Sequence, residues 1–378
     1  MQDNREFYLD EIFKKFQKTE GFQIKRTLGK GTYGIVKLIA YENRTFAAKL
    51  VEKEKYDEIE YIKDLVGPHI IKIEKICQPI NEQENNYYMI IMERGDFVDL
   101  SKFIRNFQER NILKLIYPKC IDENISDTIL QFFARQIIDG MMTLYQYNYV
   151  HFDIKPENIL VFKNLKLKII DFDLLKKIND NVKEFKIPGG TLGYTTREYL
   201  LREKVNAFEA RSQDYFALGC TLFLLKYGFP LLKYNNRDDK EMQADEFIKL
   251  LDKNINYIQS YKTADKDFIT FIINLINLDP NKRLKFEEIH RNKWLNKNVD
   301  KINIIVEDYD KERDQLILNL QIQDFFSYKN KIFEFNHPSQ VINKKNRRYT
   351  RKCFNFKKKI MTMNDETKIT FIFFIKFY

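Results

Sequence analysis

Apolar residues change period along the chain, and each change marks an element. Leu9, Ile12, Phe13 and Phe16 fall at helical spacing among charges and predict an amphipathic helix within residues 5–18. From residue 22 the period drops to two. Apolar residues alternate on both sides of a glycine-rich run at 29–34, residues 36–40 continue as strand, and residues 45–50 give the next strand. Ile59, Ile62 and Leu65 share one face of a helix predicted over 52–66, which Pro68 limits. Residues 87–93 form an apolar strand that stops at Arg94-Gly95-Asp96, and 99–107 read as a short helix before a patternless connector at 108–124. A longer helix starts from an N-cap at Ser126 and carries Ile129, Phe132, Phe133, Gln136, Ile137, Gly140, Met141 and Leu144 on a mostly buried face. Residues 159–162 and 165–170 alternate across Lys163-Asn164, which predicts a β-hairpin. A further apolar helix opens at Asp214, and the patterning ends after Trp294-Leu295. Beyond that, 316–326 is compatible with one more helix and 369–375 is an apolar run.

Length and composition suit this reading. A chain of 378 residues with 44% hydrophobic content is too long for one small core, fits a two-lobed domain with an appendage, and is not globally disordered. Cys77, Cys120, Cys220 and Cys353 are scattered with no C-x-x-C pair, so neither a disulfide framework nor a structural zinc site is expected. The first residues lack an apolar core of the secretory kind, and the run at 369–375 is far short of the ~20 residues of a spanning helix. The expectation is a soluble protein of the cytoplasm or nucleus. The net charge of +10 is concentrated, because residues 341–360 hold nine Lys or Arg and no acid. Such a run is either solvated or makes an electrostatic contact with anionic lipid or nucleic acid.

The chemistry is concentrated in His151-Phe152-Asp153-Ile154-Lys155-Pro156-Glu157-Asn158. An aspartate, a lysine two residues on and an asparagine three beyond that bring a proton acceptor, a cation and a neutral metal ligand onto one tight loop. The hairpin after this loop returns Asp171 beside Asn158, where the two can hold one Mg2+. Phosphoryl transfer to a hydroxyl needs this set. Gly29, Gly31 and Gly34 let two strands turn tightly and bring backbone N–H groups close to phosphate oxygens. Strand rather than helix comes after them, unlike the glycine turn of dinucleotide-binding folds.

These motifs, in this order, resemble the eukaryotic protein kinases of the serine/threonine type. The family's H-R-D-x-K-x-x-N loop is matched with Phe152 for arginine, and its D-F-G triplet with Asp173 for glycine. Its G-T-x-x-Y-x-A-P-E segment is matched at 190–198 with Thr196-Arg197 for Ala-Pro. The resemblance covers residues 22–297 and implies an α+β, two-lobed fold with a small β-rich N-lobe and a larger helical C-lobe. An N-terminal helix (1–21) and a basic extension (298–378) would flank it. ATP as donor, Mg2+ as metal and a protein substrate are implied with it. By the same resemblance Asp153 accepts the hydroxyl proton, Lys155 steadies the γ-phosphate, and Asn158 and Asp171 bind the metal. Leu28, Gly29, Gly31 and Gly34 would cover the nucleotide, and Lys49, paired with Glu58, would grip its α- and β-phosphates. Val36, Ala47, Met92 and Leu160 would enclose the adenine, with the backbone of Glu93 and Gly95 at its edge. Asp214 is expected to bond the catalytic-loop backbone, and Glu198 to pair with Arg283.

Two departures carry expectations of their own. Phe152 removes the arginine that in many kinases binds a phosphorylated activation segment, and residues 174–190 contain no Ser, Thr or Tyr. Asp173 removes a flexible glycine and brings a further carboxylate, either a metal ligand or a restraint on motion. The alternative from another class is a pseudokinase, a nucleotide-binding scaffold that performs no transfer. A P-loop ATPase would need a G-K-[ST] element, which the sequence lacks.

Overall fold

The computed structural model of the chain describes residues 2–31, 34–53, 60–79, 86–96, 98–108, 125–178, 184–232, 244–260 and 265–297. The expected helix at 316–326 and the basic run at 341–360 lie outside them. So does Glu58.

A helix, α1 (Gln2–Glu20), leads into five strands: β1 (Gln23–Gly31), β2 (Gly34–Tyr41), β3 (Arg44–Glu52), β4 (Ile73–Cys77) and β5 (Tyr87–Met92). They form one antiparallel sheet in the order β1-β2-β3-β5-β4. The apolar stripe of α1 is buried. Leu9, Ile12, Phe13 and Phe16 join Phe22, Ile35, Ile39, Phe46, Ala48, Leu50, Cys77, Met89 and Ile91 in one core. Each of the larger side chains contributes about 1.5–3 kcal/mol by leaving water. Successive strand residues face opposite ways, so with Ala48 and Leu50 turned to α1, Ala47 and Lys49 face the other side of the sheet. Lys37 is tied to the helix as well, by Asp10 at 2.6 Å and by the ring of Phe13 at 5.0 Å.

Helices dominate beyond β5: α2 (Leu100–Gln108) and α3 (Ile125–Gln146), then, after short strands, α4 (Arg197–Leu200), α5 (Ala207–Tyr227), α6 (Ala244–Ser260), α7 (Lys266–Leu275), α8 (Phe286–His290) and α9 (Lys293–Asn296). The short strands are β6 (Tyr149–Val150), β7 (Ile159–Val161), β8 (Leu167–Ile169), β9 (Lys176–Lys177), β10 (Phe185–Lys186) and β11 (Lys204–Val205), paired as β6–β9, β7–β8 and β10–β11. The expected hairpin is β7–β8, and its turn is a 3-10 turn over Lys163–Leu165, which removes Leu165 from the return strand. Gln136 on α3 holds that turn, donating to Leu165 O (3.0 Å) and accepting from Leu167 N (2.9 Å). Gly140 makes the approach possible, because a Cβ there would meet Ile169 Cδ1 at 2.8 Å and His69 O at 2.9 Å. On the sheet side, Ile71 N donates to Ile169 O (3.0 Å) and Ile169 N to His69 O (2.9 Å).

Two local expectations are corrected. The helix expected over 52–66 lies outside the described residues at 54–59, and at its ends β3 runs to Glu52 and Glu60–Asp64 is a 3-10 turn. The chain must leave helical geometry before Pro68 and bring Gly67 against Thr143, where a Cβ would lie 2.7 Å from Cγ2. Ser126 lies inside the first turn of α3 rather than capping it, because that helix begins at Ile125.

Candidate active site

The loop after β6 is held from beneath by Asp214 of α5. Its Oδ2 accepts from His151 N and its Oδ1 from Phe152 N, both at 2.9 Å. Burial pushes the Asp214 carboxyl up, against the pull of these donors. That grip offsets an unfavourable backbone, since Phe152 has φ 64°. Asp171 sits in the same left-handed region, also at φ 64°. The His151 ring joins the two segments. Its Nδ1 accepts from Asp153 N (3.2 Å), which makes Nε2 the donor to Ile170 O (3.0 Å). Ile170 N donates to Asn158 O (2.9 Å) and sets Asp171 beside the loop.

Four donors converge on the buried carboxylate of Asp153. Thr191 Oγ1 (2.6 Å) and Thr191 N (3.1 Å) reach Oδ1, and Lys155 Nζ (2.6 Å) and Asn158 Nδ2 (2.8 Å) reach Oδ2. Lys155 also donates to Thr191 Oγ1 at 2.5 Å. The structure therefore brings Asp153, Lys155 and Asn158 together with Thr191, which the resemblance of the GT motif led one to expect at the catalytic loop. Asn158 Nδ2 donates to Asp153 O as well (2.9 Å), which fixes the amide and leaves Oδ1 as the atom it can offer to a metal. Asn158 and Asp171 thus suit a magnesium ion, which commonly takes one or two side-chain oxygens and completes its shell with phosphates and water. Among the described residues no group of three or more His, Cys, Asp or Glu forms a cage by itself.

Lys49 Nζ lies 2.7 Å from Asp171 Oδ1 and 2.7 Å from Asp173 Oδ1. Burial opposes its charge, but the two carboxylates outweigh it and hold the ammonium above its ordinary pKa. Val36 pairs with Lys49 across β2–β3, and Ala47 with Met92 across β3–β5. On the glycine hairpin Gly29 lies opposite Val36 and Gly31 opposite Gly34, while Leu28 is exposed. After Met92, Glu93 N donates to Lys72 O (3.0 Å), and Glu93 Oε1 accepts from Lys72 N (2.6 Å) and from Lys168 Nζ. Gly95, two residues on, is half-buried, and Leu160 of β7 is half-buried across a bridge from Asp99.

Phe152 is buried with Val150, Ile178, Val205, Ala207 and Ala210, and its ring meets Phe185 edge-on at 6.4 Å. Phe185 pairs with Val205 across β10–β11. Further along, Glu198 and Arg283 form a buried ion pair at 3.0 Å, and Arg283 also donates to Ser212 Oγ (2.9 Å) and Asn277 O (2.7 Å).

A family model described as the protein kinase domain matches residues 22–295. Among curated proteins the chain is similar to a calcium/calmodulin-dependent protein kinase of Emericella nidulans, 25% identical over 75% of this chain and 64% of that protein. It is also similar to a serine/threonine-protein kinase of Schizosaccharomyces pombe, 27% identical over 72% of this chain and 58% of that one. A third relative is the SNF-related serine/threonine-protein kinase of Homo sapiens, 25% identical over 72% of this chain and 33% of that one. The matches span under two thirds of these relatives' lengths.

Proposed function

The chain belongs to the protein kinase family, and on that premise we propose that it moves the γ-phosphoryl group of ATP to serine or threonine hydroxyls of protein substrates, through a catalytic domain at 22–297. The observation that carries this reading is the network in which Lys155 and Thr191 hold the carboxylate of Asp153 from two sides. Asp153 takes the hydroxyl proton as the acceptor attacks, and Lys155 stabilises charge growing on the transferred group. Lys49 binds the α- and β-phosphates from the sheet, and the adenine lies against Val36, Ala47, Met92 and Leu160, its edge facing the backbone of Glu93 and Gly95. Leu28, Gly29, Gly31 and Gly34 close over the phosphates. Asn158 and Asp171 hold Mg2+, which when bound neutralises phosphate charge. The relatives' names support serine and threonine as acceptors.

A scaffold reading would keep the nucleotide pocket without transfer. It draws on one observation, that Lys49 is occupied by two carboxylates. Incubation with Mg-ATP and a basic protein substrate, followed by phosphoamino-acid analysis, separates the two. The proposal expects phosphoserine or phosphothreonine without phosphotyrosine. Nucleotide binding with no phosphoamino acid at all would leave the scaffold reading.

A further inference from the structure

The third residue of the Asp171-Phe172-Asp173 triplet is one place where the chain departs from its family, and it does not stand idle. Asp173 is the most enclosed member of the cluster around Lys49. Its side chain is 7% exposed, against 14% for Lys49 and 30% for Asp171. One oxygen takes the Lys49 ammonium at 2.7 Å. The other, Oδ2, is buried and meets no hydrogen-bond donor among the described residues. A carboxylate so placed is costly to keep unless a cation faces it, and the cation that meets it is Lys49. Its position is fixed from both sides. Phe172, just before it, is buried against the His151 ring at 5.8 Å, and just after it Leu175 N donates back to Phe172 O at 3.1 Å.

Asp171 and Asp173 share one lysine, but their duties differ. In the phosphoryl-transfer reading, on which this inference rests, Asp171 also faces the divalent ion, so its charge is shared between the metal and Lys49, while Asp173 is left to Lys49 alone. We propose that Asp173 is the positioning residue for Lys49. It holds the ammonium from the triplet itself, 124 residues away in sequence, in the place where a glutamate such as Glu58 was expected to reach it from the sheet-bearing lobe. The phosphate-gripping lysine is then anchored to the metal-binding segment itself.

The test compares Asp173→Asn, Asp173→Glu and Glu58→Gln by equilibrium binding of ADP with Mg2+ and of adenosine, which has no phosphates for Lys49 to hold. Asp173→Asn should weaken Mg-ADP about tenfold and leave adenosine unchanged, and Asp173→Glu should restore most of the loss. Glu58→Gln should cost less than Asp173→Asn. A larger loss at Glu58 than at Asp173 would overturn the assignment. So would a raised half-saturating Mg2+ in Asp173→Asn at saturating nucleotide, since that would make Asp173 a metal ligand. Should Asp173→Asn not fold, Glu58→Gln decides alone: a tenfold loss there contradicts the proposal, and a loss under twofold supports it. Binding is read without transfer, so an inactive but nucleotide-binding wild type would sink the transferase reading and leave this one measurable.

Discussion

Glu198 and Arg283 are 85 residues apart, and both are almost fully buried. Removing one partner of such a pair leaves an uncompensated buried charge, which costs about 3–5 kcal/mol. Glu198→Ala should therefore lower the unfolding free energy in urea by about that much, and the double replacement by methionine should cost less than the single change. Asp265 shows a milder electrostatic effect. Burial works against its charge, but Lys297 and the backbone N–H groups of Asp267 and Phe268 outweigh that and hold its carboxyl below the ordinary value. A carboxylate held down in the folded state lends stability above its unfolded pKa and loses it as pH falls through the lowered folded value. Asp265→Ala should cost about 1 kcal/mol at neutral pH as a lost α7 cap, and the difference from wild type should shrink below about pH 4. Asp153, Lys155 and Asn158 were legible in the sequence because one short loop carries all three. The contact of Lys49 with Asp173 was not, because a contact across 124 residues leaves no local pattern.

Among the elements, the segment from β9 to β11 is docked by apolar contacts. Phe152 packs on Phe185, and half-buried Ile187 and Leu174 lie against the same cluster. A phosphate-dependent switch would need a cation where Phe152 sits and a hydroxyl within 174–190, and neither exists. Protein treated with phosphatase should be as active as untreated protein. Phe185→Ala should lower transfer several-fold while adenosine binding is kept, because the proposed nucleotide pocket lies elsewhere. Loss of most activity on phosphatase treatment, restored by ATP, would place the ordering group at a phosphorylated site. Strands were readable where alternation was clean, as in β2, β3 and β7–β8. The turn at Glu60–Asp64 was misread because Ile62 and Leu65 fit a helical face, while the close fit of Gly67 to Thr143 is a tertiary demand that periodicity does not carry.

For the molecule as a whole, α1 is part of the sheet's core. Its stripe predicted a helix, but only the fold tells that Phe13 and Phe16 are fully enclosed against β2, β3, β4 and β5. Phe13→Ala should cost about 3–5 kcal/mol in urea unfolding, a loss out of proportion for a helix that precedes the family match at residue 22. No helix among the described residues is long and apolar enough to cross a membrane. If the nine basic residues at 341–360 meet anionic lipid or nucleic acid, that binding should fall steeply with salt and vanish on deleting 341–378. Whether Asp153 takes the acceptor's proton is decided by single-turnover transfer by Asp153→Asn under saturating Mg-ATP. The account predicts a loss of at least about a hundredfold with Mg-ADP affinity unchanged. Transfer within about tenfold of wild type, some 1.4 kcal/mol of barrier, would contradict it.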